Sequence, residues 1–287
     1  MLPIKIDLHI HTNVSDGTDK PEELLSKVRD AGFDVFSVTD HDAVKAGAVI
    51  RAGLKDGDPR FIQGAEFSCQ DGDGRYHILG YGFDPDGEAI KNVIELGHSY
   101  RMKKTAERID FITREFGFEF DKSEIDAILA LDNPGKPHIA KLMQKHGYAG
   151  SIREAISKYI NGIRFTEEYV RPEQAIEGIL KSGGIPVLAH PFYGGGDDLI
   201  LADDMEKRLI RLIGAGLRGI EAFYSGFSVK LQSEALVLAK KHDLLVTAGS
   251  DYHGENKNIK LGETNLAEYG KMPEGMKRFF EILDIGL

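Results

Sequence analysis

Apolar and polar residues along this chain follow two periods. Seven short runs rich in Val, Ile, Phe and Tyr read as strands: IKIDLHI (4–10), DVFSVTD (34–40), FIQGAEFSC (61–69), YHILGYGF (76–83), GIPVLAHP (184–191), GIEAFY (219–224) and LLVTAGSD (244–251). Helical periodicity separates several of them. In KPEELLSKVRDAG (20–32), Leu24, Leu25 and Val28 share one face, Pro21 stands near the start and Gly32 follows the end. A repeating β-then-α order predicts an α/β fold, either a parallel barrel or a doubly wound sheet. One segment breaks the order: QDGDG (70–74) is too short for a crossover helix, so the fourth run pairs with the third as a hairpin.

Between about Glu88 and Ser182 the strand signal gives way to helical stretches such as AIKNVIELGHSYRMKKTAERIDFITREFG (89–117) and SIREAISKYI (151–160). The expected organisation is a barrel built from residues 1–90 and 183–287, with a helical insertion at 91–182 covering the active-site mouth. No apolar run approaches the roughly 20 residues of a membrane helix, so no membrane partner is expected. The first residues run straight into a strand pattern and do not read as a secretory signal. The single cysteine, Cys69, forbids an internal disulfide and fits a reducing cytoplasm. With 36 basic against 46 acidic residues the net charge is −10, which argues against a surface for duplex nucleic acid. A small phosphorylated substrate stays open, because bound divalent metals can supply the positive field.

The candidate chemistry begins at DLHIHTNVSDG (7–17). Asp7, His9 and His11 occupy alternate strand positions and so point to one face. Six of the ten histidines fall at or just past the end of an expected strand: His9, His11, His41, His77, His190 and His253. In α/β barrels that end carries the active site. Glu66 is read as ending the third strand, Asp251 shares a face with His253, and Asp16 lies on the turn after the first strand. Six imidazoles and three carboxylates in one mouth are costly to bury unpaired, whereas divalent metals neutralise the acids and take neutral imidazole nitrogen. Nine candidate ligands exceed the needs of one tetrahedral ion. Two or three ions are expected, and mixed N and O ligands suit Mn, Fe or Zn alike.

Other polar residues have ordinary readings. His98, His146 and His242 sit in helical or turn contexts, and the acids of Asp84–Glu88, Asp197–Asp198 and Asp203–Asp204 read as solvated loop and helix-start charges. Arg101, Lys103, Lys104 and Arg108 read as a solvated helical face.

The motifs DLHIHT, SDG, VTDHD, GAEFS, YHILGY, LAHP and GSDYHG, in order from Asp7 to Gly254, resemble those of the PHP (polymerase and histidinol phosphatase) family of metal-dependent phosphoesterases. The resemblance implies a distorted (β/α)7 barrel with three metal positions. The first would take His9, His11, Glu66 and Asp251, the second Glu66, His77 and His190, and the third Asp16, His41 and His253. Asp7 would then orient an imidazole from behind, with Asp40 and Asp42 as candidates for similar support. GKPHIA (135–140) further resembles the branch containing nucleoside 3′,5′-bisphosphate phosphatases and 5′-to-3′ exoribonucleases, which usually shows Arg where this chain has Lys136. Lys136 and His138 would contact a second phosphate; the alternative is a plain helix start, which Pro137 suits.

The expected reaction is phosphomonoester hydrolysis by a metal-bridged hydroxide, most specifically at the 3′-phosphate of nucleoside 3′,5′-bisphosphates, with short 5′-phosphorylated oligoribonucleotides as a further substrate class. Asp251 and His253 are the candidates for proton transfer. The rival readings are a histidinol-phosphate phosphatase, a metal-dependent C–N hydrolase on the same barrel, and a non-catalytic metal-stabilised module.

Overall fold

The computed structural model describes residues 4–165, 168–194 and 199–286. All seven expected strands form: β1 (Ile6–Asp7), β2 (Val35–Val38), β3 (Arg60–Asp71), β4 (Gly74–Tyr81), β5 (Ile185–Leu188), β6 (Gly219–Tyr224) and β7 (Leu245–Gly249). They lie side by side in sequence order. The two outer strands nearly meet, since Leu8 N–H donates to Ala248 O at 2.9 Å and Ile10 bridges Tyr252 in parallel. The result is a nearly closed seven-stranded barrel.

Its distortion is β4, which runs antiparallel to both β3 and β5 while the other pairs are parallel. The reason is local. Asp71 pairs with Gly74 across Gly72 and Asp73, a two-residue connection that leaves no length for a crossover, and Gly74 takes φ +128°, a region that favours glycine. This geometry corrects two sequence expectations. Glu66 lies midway along a 12-residue β3 rather than at its end, because the hairpin carries the strand on past the barrel. His77, opposite Ser68, comes from the first half of β4 rather than its C-terminal end. The antiparallel course brings that half to the same mouth.

Eleven α-helices are found among the described residues: α1 (Pro21–Asp30), α2 (Lys45–Gly53), α3 (Glu88–Phe116), α4 (Lys122–Leu129), α5 (Lys136–Lys145), α6 (Ile152–Glu154), α7 (Pro172–Lys181), α8 (Ala202–Gly214), α9 (Val229–Lys241), α10 (Leu266–Tyr269) and α11 (Glu274–Ile282). On α1 the expected Leu24, Leu25 and Val28 are buried, with Pro21 in the first turn. The span 91–182 is not one layer. Val93 and the apolar face of α7 (Ala175, Ile176, Ile179) join the barrel core, whereas Ile109, Ile112, Ile139, Met143 and Ile160 pack into a cluster of their own. Thus α3 starts on the barrel wall and carries the chain out to a small helical subdomain. Asp203 and Asp204 occupy the exposed first turn of α8, as expected of helix-start acids; Asp197 and Asp198 lie outside the described residues. No helix among the described residues is long and apolar enough to cross a membrane.

Candidate metal centre

Four loops and the β3–β4 hairpin converge at the mouth. His9 and His11 follow β1, and Leu8 and Ile10, which alternate with them, turn into the hydrophobic clusters on either side. The strand period therefore puts both imidazoles on the inner face. His41 follows β2, Glu66 and His77 project from the hairpin, His190 follows β5, and Asp251 and His253 follow β7. All except His77 are buried, Asp16 included. Two of them have strained backbones: His190 at φ +26° and Asp251 at φ +59°, conformations that cost free energy and persist where the surroundings enforce them. Close approach also needs glycine. A Cβ on Gly17 would stand 2.3 Å from the His11 carbonyl oxygen, and one on Gly249 would stand 2.2 Å from the Cβ of His9.

Glu66 is the hub. Its Oε2 lies 3.3 Å from His9 Nε2, 3.1 Å from His11 Nε2 and 3.2 Å from His41 Nδ1. Its Oε1 lies 2.8 Å from His77 Nδ1 and 3.1 Å from His190 Nε2. Asp251 Oδ1 faces His9 Nε2 (3.7 Å), His11 Nε2 (3.5 Å) and His253 Nδ1 (3.3 Å). Asp16 Oδ1 lies 3.3 Å from His253 Nε2 and 3.6 Å from His11 Nδ1, and its Oδ2 lies 3.9 Å from His41 Nε2. The rings form a continuous wall, His253 to His11 at 4.0 Å between centroids, His11 to His41 at 4.6 Å, His41 to His77 at 5.1 Å and His77 to His190 at 5.0 Å. Every one of the nine residues expected to carry ligands is in this one cluster.

Electrostatics keeps the acids ionised. Burial opposes ionisation of Glu66, but the surrounding His77, His9 and His41 outweigh it and hold the carboxyl well below the usual range. Burial likewise opposes ionisation of Asp251, and Lys257, His253 and His9 overcome it. His11 is pushed down to about 4 by burial, reinforced by His253, and so presents neutral imidazole. Its Nε2, together with His9 Nε2 and His41 Nδ1, is buried without a hydrogen-bond partner, whereas His190 meets Glu66 through Nε2. Buried polar atoms are normally satisfied. A cluster of orphaned imidazole nitrogens against ionised carboxylates is the donor set that divalent cations take. Three groupings have ligand atoms within 4.8 Å of one another: His11, Asp16, His41 and His253; His9, His11 and Asp251; and His41, Glu66 and His77.

Behind the ligand atoms stand residues that the sequence reading missed. Glu221, fully buried on β6, places Oε1 3.0 Å from His9 Nδ1, and its Oε2 accepts the backbone N–H of His190 at 2.8 Å. Tyr224 Oη donates to Asp251 Oδ2 at 3.0 Å. Lys257 Nζ reaches the same oxygen at 2.5 Å. The only sequence signal for Glu221 was an acid inside an otherwise apolar strand. Asp7 does not orient an imidazole: it accepts from Ser250 N and Oγ and Gly262 N, and touches His9 only through its backbone N–H. Asp40 instead braces the first loop, accepting from Thr12 N–H, Thr12 Oγ1 and Ser15 Oγ.

The helical wall holds a second correction. Arg101, Lys104 and Arg108 are buried at 9%, 6% and 7% exposure, and only Lys103 lies on a solvated face of α3. Spacing of three, four and seven residues puts them on one stripe, and that stripe turns inward. Arg101 donates to Asp42 Oδ2 (3.0 Å) and Ser68 Oγ (3.0 Å); Lys104 Nζ sits 3.4 Å above the Tyr169 ring centroid; Arg108 lies over Phe165, its Nε unpartnered. Lys136 begins α5 beside them and donates to Asn161 Oδ1 at 2.6 Å. Burial, joined by repulsion from neighbouring cations, pushes Lys104 down to about 6 and Lys136 to about 7. His138 Nδ1 accepts the Gly135 N–H at 3.0 Å, so it closes the first turn of the helix. The loop still touches the centre, since a Cβ on Gly135 would lie 3.4 Å from both Arg101 Nη1 and Asp16 Oδ2.

Comparison with known proteins agrees with this geometry. A model of the PHP domain matches residues 7–284. The chain is 27% identical over 265 residues to the 3′,5′-nucleoside bisphosphate phosphatase of Chromobacterium violaceum, covering 86% of this chain and 87% of the relative. It is 27% identical to the phosphoribosyl 1,2-cyclic phosphate 1,2-diphosphodiesterase of Eggerthella lenta, covering 87% and 94%. It is 30% identical to the 5′-3′ exoribonuclease Rnm of Salmonella typhimurium, covering 89% and 87%. Among solved structures, a Bifidobacterium adolescentis protein assigned as a metal-dependent phosphoesterase superposes with a TM-score of 0.82 at 25% identity, covering 99% of this chain and 97% of that one. The chain therefore belongs to the PHP domain family and is a metal-dependent hydrolase of phosphate esters.

Proposed function

We propose that the substrate is a phosphomonoester carrying a second phosphate, most specifically a nucleoside 3′,5′-bisphosphate cleaved at its 3′-phosphate. The observation that carries this reading is the buried cation stripe. Arg101, Lys104 and Arg108 are buried and Lys136 is half-buried beside them, next to the histidine cluster. Asp42 is the carboxylate bonded to Arg101. Burying basic groups together without enough counter-charge is costly, which is why Lys104 gives up its proton near about 6, and a phosphate that is held rather than cleaved would offset that cost. The names of two groups of relatives, a bisphosphate phosphatase and 5′-3′ exoribonucleases, point to the same chemistry. Short 5′-phosphorylated oligoribonucleotides present a similar pair of phosphates.

The nine ligand residues would hold two or three divalent ions of Mn, Fe or Zn type, in the sets His9, His11, Glu66 and Asp251; Glu66, His77 and His190; and Asp16, His41 and His253. His11 stands close enough to Asp16 and His253 to belong to the third set as well. Such ions, when bound, neutralise phosphate charge and lower the pKa of water. The chain's own part is positioning and proton handling. As the water oxygen bonds to phosphorus and the ester P–O bond breaks, the water's proton passes to the Asp251 carboxylate and one passes from His253 to the leaving alcohol oxygen. Lys136 and the α3 cations hold the spectator phosphate and thereby fix which ester faces Asp251.

The test is a screen of the metal-loaded protein against nucleoside 3′,5′-bisphosphates, short oligoribonucleotides, histidinol phosphate and simple amides. Preference for bisphosphates or oligoribonucleotides supports the reading. Preference for histidinol phosphate, or turnover of amides alone, overturns it.

A further inference from the structure

The two oxygens of Asp251 face different partners. Oδ1 points at His9, His11 and His253, whereas Oδ2 accepts from Tyr224 Oη at 3.0 Å and from Lys257 Nζ at 2.5 Å. Lys257 belongs to no strand end. It follows the short turn Gly254–Asn256 and reaches in from the rim, with its side chain 39% exposed and its ammonium against a carboxylate that is 6% exposed. A salt bridge between exposed groups contributes little to stability, yet here one end is a buried ligand-type acid. The arrangement has an electrostatic consequence. Divalent ions on the Oδ1 side would repel an ammonium on the Oδ2 side. A phosphoryl group bound next to both would offset that repulsion.

We propose that Lys257 is a further catalytic residue of this centre: its ammonium binds a non-bridging oxygen of the phosphoryl group being transferred, while its contact with Oδ2 leaves Oδ1 of Asp251 facing the histidine cluster. Lys257 keeps its proton throughout. The bond made is still water oxygen to phosphorus and the bond broken is still phosphorus to alcohol oxygen. The ammonium follows charge that shifts among the equatorial oxygens. Its role is separate from that of Lys136, because it concerns the phosphate that is cleaved and not the one that is held. It depends on phosphoester hydrolysis alone, so it stands whichever phosphomonoester proves to be the substrate.

The experiment compares wild type with Lys257→Met and Lys257→Arg, metal-loaded and full length, using p-nitrophenyl phosphate as substrate and inorganic phosphate as inhibitor, with metal content and melting temperature measured in parallel. Lys257→Met is expected to keep wild-type metal content and melting temperature. It should lose about 10- to 100-fold in kcat/KM and bind inorganic phosphate about tenfold more weakly, the effect of one charge-assisted hydrogen bond. Lys257→Arg should recover part of both. Unchanged phosphate inhibition in Lys257→Met overturns the proposal, as does metal loss matching that of Asp251→Ala. Lys257→Gln gives the same readout if the Met variant melts early. Failure of the bisphosphate reading would appear elsewhere, as equal wild-type rates on mono- and bisphosphates.

Discussion

Glu221 Oε1 lies 3.0 Å from His9 Nδ1, which turns the opposite nitrogen of the ring, Nε2, toward Glu66 and Asp251. A carboxylate behind a ligating histidine fixes its tautomer and raises its basicity. The same carboxylate accepts the backbone N–H of His190 and so ties two loops of the mouth together.

Glu221→Gln should therefore weaken metal binding about 10- to 100-fold while leaving the barrel folded. Manganese titration followed by melting temperature measures it. Wild-type affinity in the variant would show that the pair is packing only.

Removing metal should destabilise the wild-type chain, because ions that bind only the folded state add to stability by mass action. Dialysis against chelator is expected to lower the melting temperature and abolish turnover, with both restored by Mn or Zn. Ligand variants should separate the positions. Glu66 faces five imidazoles and Asp16 faces three, so Glu66→Ala should empty more of the centre than Asp16→Ala. Elemental analysis showing equal losses would contradict the assignment.

The seven strands and nine ligand-type residues were legible in the sequence because strand period and ligand chemistry are both local patterns. What was hidden depends on tertiary direction. Glu221 reads as one acid in a strand until His9 is seen beside it, and Lys257 reads as a loop lysine. The stripe of Arg101, Lys104 and Arg108 has the spacing of a buried face but the composition of a solvated one, and composition misled. The antiparallel β4 was legible from the short turn before it, yet its effect on where Glu66 and His77 sit along their strands was not.

Lys136 is pushed down to about 7 by burial and by Arg108, Arg75 and Arg101. Below that pH its ammonium is present to meet a phosphate; above it the charge fades. KM for a nucleoside 3′,5′-bisphosphate should thus rise as pH passes upward through about 7, and Lys136→Arg should flatten the profile. The same shift has a sign for stability. An unfolded lysine keeps its proton up to about 10.5, so between about 7 and that value the unfolded state binds more protons and stability rises with pH. A flat wild-type KM profile would remove Lys136 from the phosphate site.

The central claim is that the buried cations hold a second phosphate while the histidine cluster serves the one that is cleaved. Its most direct test is kcat/KM of the metal-loaded protein on adenosine 3′,5′-bisphosphate and on p-nitrophenyl phosphate, each measured in wild type and in Lys136→Ala. A charge-assisted hydrogen bond of roughly 1.5–3 kcal/mol predicts a 10- to 100-fold fall on the bisphosphate and little change on the aryl phosphate. Equal falls on both substrates would contradict it.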